Sequence, residues 1–138
     1  MSSTTPPFRF ETSDLPESPS LVAVLPAGIT TKEELLRELA KELRFPDYFG
    51  ENWDALWECI RDLSWLPSGP VILEHSDVPL ANDVESLKTY LSILNDTVQK
   101  KWPPPGRDLR DLIVSFPSEA RGQVTWLLQA ADSGRKTQ

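Results

Sequence analysis

The fold class that the sequence predicts is an α/β layer with a parallel sheet, on three observations. Short apolar runs recur along the chain, "LVAVL" at 21–25, "PVILE" at 70–74 and "DLIVSF" at 111–116, each brief and apolar in the way of a strand buried in a parallel sheet. Longer segments with leucines at helical spacing separate them. The resulting order of strand, helices, strand, helix, strand is the alternation that builds crossover units. It gives three strands and, with one segment after the last, about four helices.

Residues 1–20 are rich in Ser, Thr and Pro with little to bury, so the reading is a flexible N-terminal arm. The first strand follows between Pro19 and Pro26. "TTKEELLRELAKEL" then opens with Thr31 and, three residues on, Glu34, the spacing of a capping box. Leu35, Leu36, Leu39 and Leu43 form its apolar stripe. Pro46 disfavours helix at Phe45 and ends it. A second helix runs from about Asn52 to Leu63, and Pro67–Gly69 is a turn before the second strand. Val84, Leu87, Leu91, Leu94 and Val98 predict a third helix over 82–101, which "WPPPG" at 102–106 terminates. The third strand closes a body at 21–116. Residues 117–138 form a C-terminal extension, with a short helix around Val124–Ala130 and a polar tail.

Composition narrows the function classes. At 138 residues, 39% hydrophobic and 25% charged, the chain has the makings of one globular domain. A formal charge of −7 opposes non-specific nucleic-acid binding, which needs a basic face to displace counterions. It favours a basic protein partner. The single cysteine, Cys59, permits no intrachain disulfide, and with no signal-like start and no long apolar span the expected location is cytoplasmic, away from membranes. A monomer is expected.

The segment "FPDYFGENWDALWECIRDL" at 45–63 concentrates the chemistry. On a wheel advancing about 100° per residue, Trp53, Leu56, Trp57 and Ile60 share one side, read as the core side. Glu51, Asp54, Glu58 and Asp62 share another. Like charges at this spacing each cost a helix about a few tenths of a kcal/mol. The acids are therefore a solvated face, a metal site, a catalytic carboxylate pair or a surface for a cationic partner. Metal binding lacks ligands, since the one histidine, His75, is distant and no calcium loop is present. Paired carboxylates flanking a substrate need opposite walls of a cleft, and neighbours on one helix face project side by side. No catalytic residue, cofactor or metal is assigned.

The stretch "PDYFGENWDALWECI" at 46–60 resembles the barstar family of intracellular ribonuclease inhibitors. The likeness runs through Asp47, Tyr48, Phe49, Gly50, Glu51, Asn52, Asp54, Ala55, Leu56, Trp57, Glu58 and Cys59, and "VILE" with Glu74 resembles the family's second strand. More loosely it spans 21–116, which implies a barstar-like fold.

The resemblance implies a non-enzymatic inhibitor of immunity or antitoxin type. Its acidic helix and preceding loop would plug the active site of a basic, secreted or toxin-type ribonuclease, with carboxylates standing where RNA phosphates lie. The implied partner-binding residues are Tyr48, Phe49, Gly50, Asn52, Asp54 and Glu58, with Glu51, Asp62 and Asp96 as further candidates. Glu58 stands where the family usually has Asp. A further acid late in the third helix aligns with Ile93, and Asp96 lies less than a turn beyond. The alternative is a barstar-like interaction or regulatory domain with no nuclease target. Outside this set, His75 reads as a strand-end or surface residue and Cys59 as inert packing. Trp65, Trp102 and Trp126 read as closing the core's edges, Trp126 with a dimer contact as its alternative.

Overall fold

The computed structural model describes residues 8–11, 15, 17–47, 49–67, 69–99 and 112–136. Strand β1 (Leu21–Leu25) leads into helices α1 (Lys32–Glu42) and α2 (Trp53–Asp62). Strand β2 (Val71–His75), helix α3 (Val84–Gln99) and strand β3 (Leu112–Ser115) follow. A single 3₁₀ turn at Ser118–Ala120 then runs into helix α4 (Arg121–Lys136). The three strands form one parallel sheet in the order β1-β2-β3, with Leu21 opposite Val71 and Val71 opposite Leu112. This is the predicted α/β architecture of three parallel strands and four helices.

Local chemistry explains the boundaries. The Thr31 hydroxyl accepts the Glu34 N–H at 3.1 Å, and the Glu34 carboxylate reaches back to the Thr30 N–H at 3.4 Å, so both ends of the box hold α1's first turn. At the other end Arg44 takes the left-handed conformation (φ 58°) and the Phe45 N–H closes on the Ala40 carbonyl at 2.9 Å. That is a Schellman stop, built here without the usual glycine.

The core gathers Ala23 and Leu25 of β1, Leu35, Leu36 and Leu39 of α1, Leu56 and Ile60 of α2, Val71 and Leu73 of β2, Leu87, Tyr90, Leu91 and Leu94 of α3, and Val114. Each Leu, Ile or Val among these contributes about 1.5–3 kcal/mol on leaving water. β2 is buried along nearly its whole length, as a central parallel strand should be. β1 differs from its reading as a fully buried strand: Val22 and Val24 are exposed while Ala23 and Leu25 are buried. It is an edge strand, and one of its faces meets solvent.

Two further corrections concern the ends. Phe8 and Phe10, assigned by sequence to an arm with little to bury, are both in the core. The Arg9 N–H donates to the Val114 carbonyl at 2.8 Å and the Phe116 N–H donates to the Arg9 carbonyl at 2.9 Å. This short stretch thus continues the sheet beyond β3. The Phe8 and Phe116 ring centroids lie 5.4 Å apart. The C-terminal helix is longer than the short one expected, and its Val124 and Leu127 join the core with Ala120.

His75, read as a strand-end or surface residue, does end β2. It is 3% exposed, not a surface residue. Its Nδ1 lies 2.9 Å from the Ser115 carbonyl and its Nε2 lies 2.7 Å from the Tyr90 hydroxyl. A carbonyl only accepts, so Nδ1 carries the proton and Nε2 accepts from tyrosine. The ring stacks on Phe116 with centroids 4.0 Å apart.

Candidate protein-binding face on the second helix

The turn before α2 is fastened from inside. The Phe49 N–H donates to the Pro46 carbonyl at 3.0 Å, and the Phe49 ring packs on Phe45 with centroids 4.8 Å apart. Phe45 in turn meets Trp65, whose indole N–H donates to the Leu43 carbonyl at 3.0 Å. Phe49 is thus half-buried, and the structure places it as an anchor of the turn. Trp65 closes a core edge as expected. Tyr48 lies outside the described residues, as does Trp102.

Two backbone features set the entry to the helix. Glu51 sits in the left-handed region at φ 54°, a conformation that costs a non-glycine residue about 1–2 kcal/mol. Asn52 is the cap: its side-chain oxygen accepts the Ala55 N–H at 2.8 Å and its carbonyl accepts the Leu56 N–H at 2.9 Å. Such a cap stabilises a helix by about 1 kcal/mol. The Asn52 amide also donates to the Gly50 carbonyl at 3.4 Å. A Cβ on Gly50 would lie 3.4 Å from that amide nitrogen, an ordinary van der Waals contact. Asn52 therefore has a structural duty besides any contact it makes.

Along α2 the inner side buries Leu56, Cys59 and Ile60. Glu51, Asn52, Asp54, Glu58 and Asp62 are exposed, as is Gly50. Arg61 is the basic residue that shares the last turn with Asp62. The negative field is nevertheless felt: the Cys59 thiol is pushed up from its ordinary pKa, first by burial and then by Asp62 and Glu58. The thiol is buried and uncharged, in keeping with a packing role.

Trp57 departs from the core side on which the wheel placed it. It is 38% exposed, and the Arg61 guanidinium lies 3.8 Å over its ring. The i,i+4 spacing of Trp57 and Arg61 was the sequence signal for this pair, and it passed unread. Trp53 is half-buried against the core, with the Lys32 ammonium 5.8 Å from its ring. Trp126 does not close a core edge; at 65% exposed it projects from α4. On α3, Ile93 is 8% exposed within the core, and Asp96 is half-buried.

Among the described residues no group of His, Cys, Asp and Glu is arranged to hold a metal ion. No helix there is long and apolar enough to cross a membrane. An open cleft of about 410 Å³ lies at the far end of β2 and β3, lined by Phe10, Glu74, His75, Ser115 and Phe116 among others. None of the α2 acids reaches it. What α2 presents to solvent is a charged, exposed surface.

The family model described as "Barstar (barnase inhibitor)" matches residues 21–117. A protein of Bacillus subtilis (strain 168) named "Putative ribonuclease inhibitor YrdF" is 32% identical over 82 residues, covering 57% of this chain and 77% of that protein. The matched segment begins at β1, ends just after β3 and includes the whole of α2. The chain belongs to the barstar family.

Proposed function

We propose that this protein inhibits a basic ribonuclease by seating the turn at 46–52 and the outer side of α2 in the enzyme's substrate cleft. One observation carries the reading: Glu51, Asp54, Glu58 and Asp62 are exposed together along the turn and α2. A fold gains little from assembling like charges on one surface. A nuclease cleft holds arginines and lysines for phosphates, and carboxylates satisfy those same donors.

In this reading Asp54 and Glu58 make the principal ion pairs, while Tyr48, Gly50 and Asn52 fill the cleft from the turn. Phe49 holds the turn's shape, and Glu51 and Asp62 add to the field. Asp96 is the remaining acid near this region. Glu58 is one methylene longer than the aspartate usual in the family, which shifts its carboxylate outward and retunes the choice of enzyme. The protein would act in the cytoplasm of the producing cell, in the manner of an immunity protein. Inhibition assays against a panel of basic ribonucleases, barnase included, test this. At least one enzyme should be blocked stoichiometrically by wild-type protein and not by Glu58→Ala. Failure to block any of them would contradict the reading.

A further inference from the structure

The chain treats the two edges of its sheet differently. Along β3 the Arg9 stretch pairs, with the Arg9 N–H bonded to the Val114 carbonyl and the Phe116 N–H to the Arg9 carbonyl. At the opposite edge β1 has β2 on one side and, among the described residues, no strand on the other. Sheets commonly guard such an edge with a charged side chain, an internal proline or a bulge, because its open N–H and C=O groups invite another strand. β1 has none of these. It reads Leu-Val-Ala-Val-Leu, its register with β2 runs without a bulge, and no residue from Ser18 to Thr31 is charged.

The strand is also a palindrome about Ala23. A two-fold axis through Ala23, normal to the sheet, sets a second copy of β1 antiparallel to the first, and each residue then meets its own kind. Val22 faces the second copy's Val24, Leu21 faces its Leu25, and Ala23 faces Ala23 at the axis. Such reciprocity defines an isologous contact. Val22 and Val24 are 42% and 43% exposed, on the side of the sheet opposite Ala23 and Leu25, which are in the core. Across the seam they become cross-strand neighbours, a packing that stabilises antiparallel pairs. Pro19 and Pro26 bracket the strand and confine the pairing to its five residues, which fixes the register. The uncharged edge also lets two chains of formal charge −7 meet where repulsion is least.

From this we infer that β1 is a self-association edge: two copies of this chain join antiparallel through Leu21–Leu25, continuing one sheet into the other across a two-fold axis at Ala23. The inference is independent of the reading of α2. A five-residue seam is small beside the interfaces of about 1,200–2,000 Å² that hold stable complexes. The dimer is therefore weak and forms as concentration rises, in place of the monomer expected from the sequence. Its response to salt is opposite to that of an acidic surface meeting a basic enzyme. Screening relieves the repulsion between two acidic chains and tightens the dimer, whereas it loosens a complex steered by opposite charges.

The test is sedimentation equilibrium of the full chain up to millimolar concentration, at low and at high salt. A monomer–dimer equilibrium that tightens with salt is expected, and hydrogen exchange of the β1 amides should slow as concentration rises. Val22→Lys and Val24→Glu each change an exposed side chain, and thermal melts show each variant folded. Either substitution alone sets a charge against a valine at both symmetric contacts, and raises the dimer dissociation constant by about tenfold or more. Combined in one chain, the two set lysine against glutamate on both sides of the axis and restore association. A chain that stays monomeric at every concentration would overturn the inference and leave the edge to a strand of another protein. A dimer that neither single substitution weakens, or that the combined variant does not recover, would overturn it too. None of these results bears on ribonuclease inhibition, which is measured separately.

Discussion

The His75 Nε2 accepts a hydrogen bond from the Tyr90 hydroxyl at 2.7 Å, joining the end of β2 to the middle of α3 inside the core. Burial holds the His75 pKa down at about 4, against an ordinary 6.5, although the bond to the Ser115 carbonyl pulls the other way. The folded protein thus keeps the ring neutral while the unfolded chain protonates near pH 6.5. Between those values the unfolded state binds more protons, so stability rises with pH. The contribution is complete above about pH 6.5 and is lost as pH falls towards 4, a difference on the order of 3 kcal/mol. Melting curves from pH 4 to 7 should show this slope in the wild type. A folded His75→Gln variant should show less of it.

The hydroxyl's own value is tested by Tyr90→Phe. Removing it strands Nε2 without its donor beside the fully buried position 90, which costs about 1–3 kcal/mol. Chemical denaturation at neutral pH should show the midpoint fall without a change of slope. No loss would mean that the buried network contributes little.

The Phe8–Phe10 stretch is predicted to be part of the folded unit. Phe8→Ala removes a ring that packs on Phe116 and should destabilise by about 3–5 kcal/mol. Hydrogen exchange should find the Arg9 amide, bonded to the Val114 carbonyl, protected alongside the β3 amides. Rapid exchange at Arg9 would contradict this.

Arg44→Gly should stabilise the protein by about 1 kcal/mol, because the left-handed C-terminal position of α1 then carries no Cβ penalty. A rise in Tm of a few degrees would fit. Destabilisation would show that the arginine side chain makes a compensating contribution.

These features differ in how far the sequence revealed them. The strands and helices were legible because apolar runs, leucine spacing and the Thr31–Glu34 cap are local signals, all within a few residues. The acidic side of α2 was legible for the same reason, since helical geometry alone separates Asp54 and Glu58 from Leu56 and Ile60. His75 was not: its burial depends on Tyr90, 15 residues away, and on Ser115, 40 away. Phe8 and Phe10 were missed because two isolated aromatics in a Ser-, Thr- and Pro-rich stretch carry no period. Trp57 was misplaced because a wheel gives an angle but not the width of the stripe that the core covers, and Trp57 falls at its margin. The exposed edge of β1 likewise depends on strand order, which no short-range pattern encodes.

Charge substitution on α2 measured against salt tests the central claim most directly. For a ribonuclease that the wild-type protein inhibits, binding constants of wild type, Asp54→Asn and Glu58→Gln are compared at low and high ionic strength. Exposed carboxylates that replace substrate phosphates predict a loss of about tenfold or more for each variant, together with a shallower dependence on salt than in the wild type. Equal affinities and equal salt slopes for all three proteins would show that the acids of α2 do not enter the enzyme's cleft.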